Sequence, residues 1–179
     1  IGGDRPSVTY KPGKLAFEKE FVGYNWVSAG ISGDRTQHVL WRLQHGSYAS
    51  AAPKYAVVTI GVNNFNEDSG EETAQGIHEI IKWMRINMPK TKIILIGPLP
   101  TGLQKLSSNR IKYEIVHHII KNEANSQVVY MPFTKYFIKE NGDLDLKYCS
   151  KDGIHFIESG YERWAKVLKE LLVQLEHKR

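Results

Sequence analysis

The chain has 179 residues, 41% of them hydrophobic, and its 24 Lys and Arg against 19 Asp and Glu give a formal charge of +5. That length suits a single domain spanning 1–179, one that buries ~70% of its unfolded surface without a staple. The lone cysteine, Cys149, makes neither an internal disulfide nor a metal cluster, and no apolar run approaches the ~18 residues of a membrane span.

The opening residues, Ile1-Gly2-Gly3-Asp4-Arg5-Pro6-Ser7-Val8-Thr9-Tyr10, carry no period and do not read as a signal peptide. Asn25 to Ile31 reads as a first strand, followed by the turn Gly30-Ile31-Ser32-Gly33-Asp34-Arg35 and an amphipathic helix around His38 to Leu43. Tyr55 to Gly61 is a near-continuous β-branched run of the kind covered on both faces, and it leads into Gly61-Val62-Asn63-Asn64. Ile77, Ile80, Ile81 and Met84, extended by Met88, make a helical stripe that Pro89 closes. The most basic stretch, Lys82, Arg85, Lys90 and Lys92, straddles that helix end, where cations suit the dipole. A nucleic-acid groove would need clustered charge with interleaved aromatics, so no nucleic-acid partner is expected.

A third strand, Lys92 to Gly97, precedes Gly97-Pro98-Leu99-Pro100, and a second stripe runs through Ile111, Ile115 and Ile119. His117 and His118 lie side by side and face different sides of that helix, so they make a poor metal pair and read as helix surface. His38, His45, His78 and His177 also read as helix residues without ligand spacing. A fourth strand, Gln127 to Met131, is followed by the longest stretch without period, Phe133 to Ser150, and loops of that length are often functional. The last helix carries Tyr161, Trp164, Leu168, Leu171, Leu172 and Leu175 on one face.

Alternating strands and helices imply right-handed βαβ units in one three-layer α/β sandwich with a parallel sheet. Ligands of such sheets bind outside the carboxyl ends of the strands, where the glycines and polar groups gather. There is no dinucleotide or P-loop pattern. Just before the last helix, Asp152 and His155 stand three apart, the spacing at which a carboxylate fixes an imidazole's tautomer while the other ring nitrogen faces a nucleophile. Each piece also has a plain structural reading. Asp152 and His155 would be a surface-loop pair, Asn63 a turn residue and Gly33 a turn glycine.

Jointly the pieces say more. Gly30 to Leu43, Gly61-Val62-Asn63-Asn64 and Asp152-Gly153-Ile154-His155-Phe156 resemble the second, third and fifth blocks of the SGNH (GDSL) hydrolase superfamily. Within it the chain looks most like the platelet-activating-factor acetylhydrolase catalytic-subunit-like esterases, from about Phe17 to its end. The resemblance implies a flavodoxin-like α/β/α sandwich with a five-stranded parallel sheet, and a serine carboxylic ester hydrolase acting on a small acyl group, most often acetyl. It gives His155 the role of base and Asp152 that of its orienter. The Gly33 N–H and the Asn63 amide join the nucleophile's own N–H as the oxyanion hole. It implies no cofactor and no metal, and a sugar or lipid ester as substrate. A homodimer is open, and so is the compartment, with a cytoplasmic site slightly favoured over a secreted form.

The first block departs from the pattern. Relatives end a strand with Gly-Asp-Ser, whereas reading on from Gly3-Asp4 puts Arg5 at the serine's place. Reading back from Ser7-Val8-Thr9 puts Ser7 there, and Ser7 is the expected nucleophile. The strand before this block shrinks to Ile1, so upstream residues, or a strand supplied from elsewhere, are expected to complete the sheet. Two alternatives remain. One is an inert descendant with Arg5 in the site that only binds an acylated carbohydrate or lipid, and the other is an acyltransferase with the same triad.

Overall fold

The computed structural model describes residues 13–177. The block Ile1 to Tyr10, with Arg5 and Ser7, lies outside them, as does the strand expected before that block. Three parallel strands form the sheet in the order β1 (Tyr55–Val58), β2 (Lys92–Leu95), β3 (Val128–Tyr130). The register pairs Val58 with Leu95 and Leu95 with Tyr130. Six α-helices accompany it among the described residues: α1 (Lys14–Glu20), α2 (Thr36–His45), α3 (Tyr48–Ala51), α4 (Gly70–Asn87), α5 (Ser108–Ile120) and α6 (Glu158–His177).

The layering follows from the side-chain alternation of β2. Ile94 and Ile96 point into a core built with Phe17 of α1 and Trp164 and Leu168 of α6. Ile93 and Leu95 point the other way, onto Ile77, Ile80 and Ile81 of α4 and Tyr113 of α5. With period two and both faces covered, all four residues lose their contact with water, each contributing about 2–3 kcal/mol of transfer free energy. The result is the expected α/β/α sandwich. Helix α4 packs against α2 and α5 on one face, and α1 packs against α6 on the other. A capping box starts α4, with the Glu72 N–H on Ser69 Oγ at 3.1 Å and the Ser69 N–H on Glu72 Oε2 at 2.7 Å.

On the far face, Phe17 stands edge-on to Trp164 with centroids 5.3 Å apart, and Lys169 Nζ donates to Glu20 O across a sequence separation of 149. These contacts hold α1 on α6. The stretch from Phe133 to Ser150, irregular by its sequence, is tightly packed. It buries Phe133, Phe137, Leu144 and Cys149 and carries a bridge between Ile138 and Leu144.

Two expectations change. Asn25 to Ile31 forms no strand; Val27 is 87% exposed and Ile31 59%, and an apolar run becomes a strand only when a ladder partner takes up its backbone groups. Among the described residues it has none, and the sheet they form has three strands. On α5 the buried face is Arg110, Tyr113, Val116, His117 and Ile120, while Ile111 and Ile119 look outward. His117 is therefore interior. Its Nε2 lies 2.9 Å from Pro98 O, which can only accept, so Nε2 carries the proton. Nδ1 then accepts from the Tyr130 hydroxyl at 2.9 Å.

Burial outweighs the Pro98 carbonyl and pulls the His117 pKa from 6.5 down to about 4. The native state thus refuses a proton that the unfolded chain accepts once the pH falls below 6.5. His117 costs nothing above that pH and removes about 2 kcal/mol of stability by pH 5. Denaturant melts at pH 7 and pH 5 should show this loss in the parent and a clearly smaller one in His117→Gln.

Candidate active site

The residues at the carboxyl ends of the strands gather into two clusters. In the first, Gly61 follows β1 with φ +125°, a conformation closed to other residues, and a Cβ there would also meet Thr73 Cγ2 at 3.0 Å. The chain then turns through a short 3₁₀ segment, Val62–Asn64, and presents two amides in opposite directions.

Asn63 is half-buried and donates one Nδ2 hydrogen to Asp34 O at 2.8 Å, which leaves its second N–H for another acceptor. Asp34 follows Gly33, whose φ of +84° sets the turn before α2 and needs a residue without Cβ strain. The Asp34 carboxylate is paired with Arg42 at 2.6 Å on the inner side of that helix. Asn63 is thereby tied to the residue that follows Gly33 through a single hydrogen bond.

Asn64 points inward and is 1% exposed. Its Oδ1 accepts the Thr36 N–H at 3.0 Å, and its Nδ2 faces Thr36 Oγ1, Gln37 Oε1 and Asp68 Oδ2 at 3.1, 3.1 and 2.6 Å. Outside the same loop, Arg35 makes a two-pronged ion pair with Glu67. Lys112 reaches from α5 to Phe65 O and Asp68 O at 2.6 and 2.7 Å. Neither Asn64 nor Lys112 was singled out by spacing, because their partners are backbone groups and side chains far away in sequence.

The second cluster is the loop before α6. His155 Nδ1 donates to Asp152 Oδ2 at 2.8 Å, so in the neutral ring the basic lone pair lies on Nε2. Asp152 Oδ1 accepts the N–H of His155 at 3.0 Å and of Ile154 at 2.8 Å. Partial burial pushes the Asp152 carboxyl upward. The backbone N–H of His155, its ring and the N–H of Ile154 outweigh that and hold it below the ordinary carboxylate value. Asp152 thus stays ionised while it orients the ring. Among the described residues, no three His, Cys, Asp or Glu side chains gather as a metal site would. No described helix is long and apolar enough to cross a membrane.

Comparison with known proteins finds a match to the model of the GDSL-like lipase/acylhydrolase family over residues 2–163. The alpha2 subunit of platelet-activating factor acetylhydrolase IB from Rattus norvegicus is 36% identical over 150 residues, covering 82% of this chain and 63% of the relative. The alpha1 subunit from Bos taurus is 29% identical over 148 residues, covering 82% and 62%. The chain therefore spans less than two thirds of the length of these curated relatives. Among solved structures, a GDSL-like lipase from Bacteroides thetaiotaomicron superposes with a TM-score of 0.73 at 18% identity, covering 91% of this chain and 82% of that one.

The two asparagines should separate on mutation. Asn64→Ala strands buried donors and acceptors and should cost about 2–3 kcal/mol in urea unfolding. Asn63→Ala, at a half-exposed position, should cost less than about 1 kcal/mol.

Proposed function

Because the chain belongs to the GDSL-like lipase/acylhydrolase family, we propose that it is a carboxylic ester hydrolase that releases a small acyl group, acetyl foremost, from a sugar or lipid ester. The observation that carries the reading is the Asp152–His155 pair, with its carboxylate on Nδ1 and its base on Nε2. The Asn63 amide, tethered to the residue after Gly33 and keeping one N–H, supports it. The acetyl preference rests on the relatives, which are acetylhydrolases by name.

In this reading Ser7 is the nucleophile. His155 Nε2 takes the hydroxyl proton as Oγ attacks the acyl carbon, and Asp152 stabilises the imidazolium that forms. The Gly33 N–H, one N–H of Asn63 and the nucleophile's own N–H take the charge on the carbonyl oxygen. The imidazolium then gives its proton to the departing alkoxide. A water, activated by the same base, attacks the acyl-enzyme and restores the serine.

Asn63→Ala should lower kcat by roughly two to three orders of magnitude and leave KM within a few-fold. A loss confined to KM would make Asn63 a substrate or turn residue. p-Nitrophenyl acetate should turn over much faster than the palmitate; the reverse order would overturn the small-acyl assignment. Intact mass after fluorophosphonate treatment should show one adduct on the parent and none on Ser7→Ala. An adduct that survives in Ser7→Ala places the nucleophile elsewhere, and an unlabelled parent favours an inert binding protein with Arg5 in the site.

A further inference from the structure

Arg110 is 1% exposed, and its partners are carbonyl oxygens rather than a carboxylate. Its Nε donates to Thr101 O at 2.9 Å, its Nη1 to Gly142 O at 2.9 Å and its Nη2 to Gly102 O at 3.3 Å. A guanidinium can do this because its donors form a rigid planar fork, which an ammonium lacks. The carbonyls come from two loops, one after β2 and one after β3. The residues it grips are themselves donors. The Thr101 hydroxyl gives its hydrogen to Gly153 O at 2.9 Å, and the Gly102 N–H gives its own to the same oxygen at 2.7 Å. Gly153 sits between Asp152 and His155. A further pair of bonds, Ser150 N–H to His155 O at 2.7 Å and Gly153 N–H to Ser150 O at 3.0 Å, closes the loop on itself. The loop is therefore rigid internally, and the Thr101–Gly102 segment fixes where it stands.

We infer that Arg110 is the positioning residue for the Asp152–His155 pair. It touches neither side chain. It fixes the Thr101–Gly102 segment from the carbonyl side, and that segment fixes the Gly153 carbonyl from its donor side. This assignment rests on the reading of His155 as the general base. Lys112, two residues on, holds the Asn63 loop from the same helix. Helix α5 thus anchors both halves of the site through cations on backbone oxygens.

The test uses the full chain with two substitutions, Arg110→Lys and Thr101→Val. The second keeps side-chain volume and removes only the hydroxyl donor, so it remains informative if the first fails to fold. Amide hydrogen exchange reads the attachment of the loop without any substrate. In each folded variant the Gly102 N–H, donor to Gly153 O, should exchange faster than in the parent. Parental exchange at Gly102 in a folded Arg110→Lys overturns the inference. In turnover of p-nitrophenyl acetate, Arg110→Lys should lower kcat roughly 10- to 100-fold with KM within twofold. The same substitution placed in His155→Gln should lower the residual rate no further. An equal loss in both backgrounds marks a general structural role and also overturns it. A parent that hydrolyses no ester sinks the esterase reading instead, and the exchange measurement still decides on Arg110.

Discussion

Helix α2 starts at Thr36 because the Asn64 side chain supplies the acceptor that the first turn lacks. The opening N–H groups of any helix have no partner within it, and here the Asn64 carbonyl takes the Thr36 N–H while its NH₂ is surrounded by Thr36, Gln37 and Asp68 oxygens. Nearly fully buried, that amide has no water to fall back on, so the loop after β1 and the start of α2 form together or not at all. Everything at this end of the sheet inherits the constraint. With Asn64 turned inward, its neighbour Asn63 is turned outward, onto Asp34 O, and Gly33 is held beside it.

The other half of the candidate site depends on a different device. Asp152 and His155 are arranged by local bonds within a few residues, but local bonds do not say where the loop stands relative to the sheet. That information passes through backbone oxygens gripped by side chains of α5. Both halves are thus set by polar contacts with the ends of strands and helices, while the aliphatic interior on either side of β2 supplies the rigid frame. Apolar packing is broad and tolerant of small shifts. Hydrogen bonds of 2.6–3.3 Å at loop carbonyls are not.

How much of this was legible in the sequence follows from the same division. The strands at Tyr55, Lys92 and Val128 were readable because continuous β-branched runs bounded by glycine or turn residues have few other uses in a sandwich. The stripe of α4 was readable because Ile77, Ile80, Ile81 and Met84, which dominate its buried face, are all apolar. Asp152, His155, Asn63 and Gly33 were readable as candidates because their types and order match a family pattern. Helix α5 misled, since its inner face carries Arg110 and His117, which hydropathy assigns to water. The carbonyls of Thr101, Gly102, Gly142 and Pro98, with the Tyr130 hydroxyl, make those side chains welcome inside. Asn25 to Ile31 misled in the opposite sense, because its apolar residues look like a strand without the ladder partner a strand needs.

The docking of α1 on α6 also has a consequence for how the chain reaches this structure. Seven residues are too few for a helix to persist alone in water, so α1 exists only once α6 is there to receive Phe17. The bond from Lys169 to Glu20 joins points 149 residues apart, and closing so large a loop early would forfeit entropy before any other contact repaid it. The βαβ units, whose partners are nearer in sequence, are free to condense first. The first described helix is therefore among the last to settle, as a latch that fastens it to the last described helix once the sheet is in place.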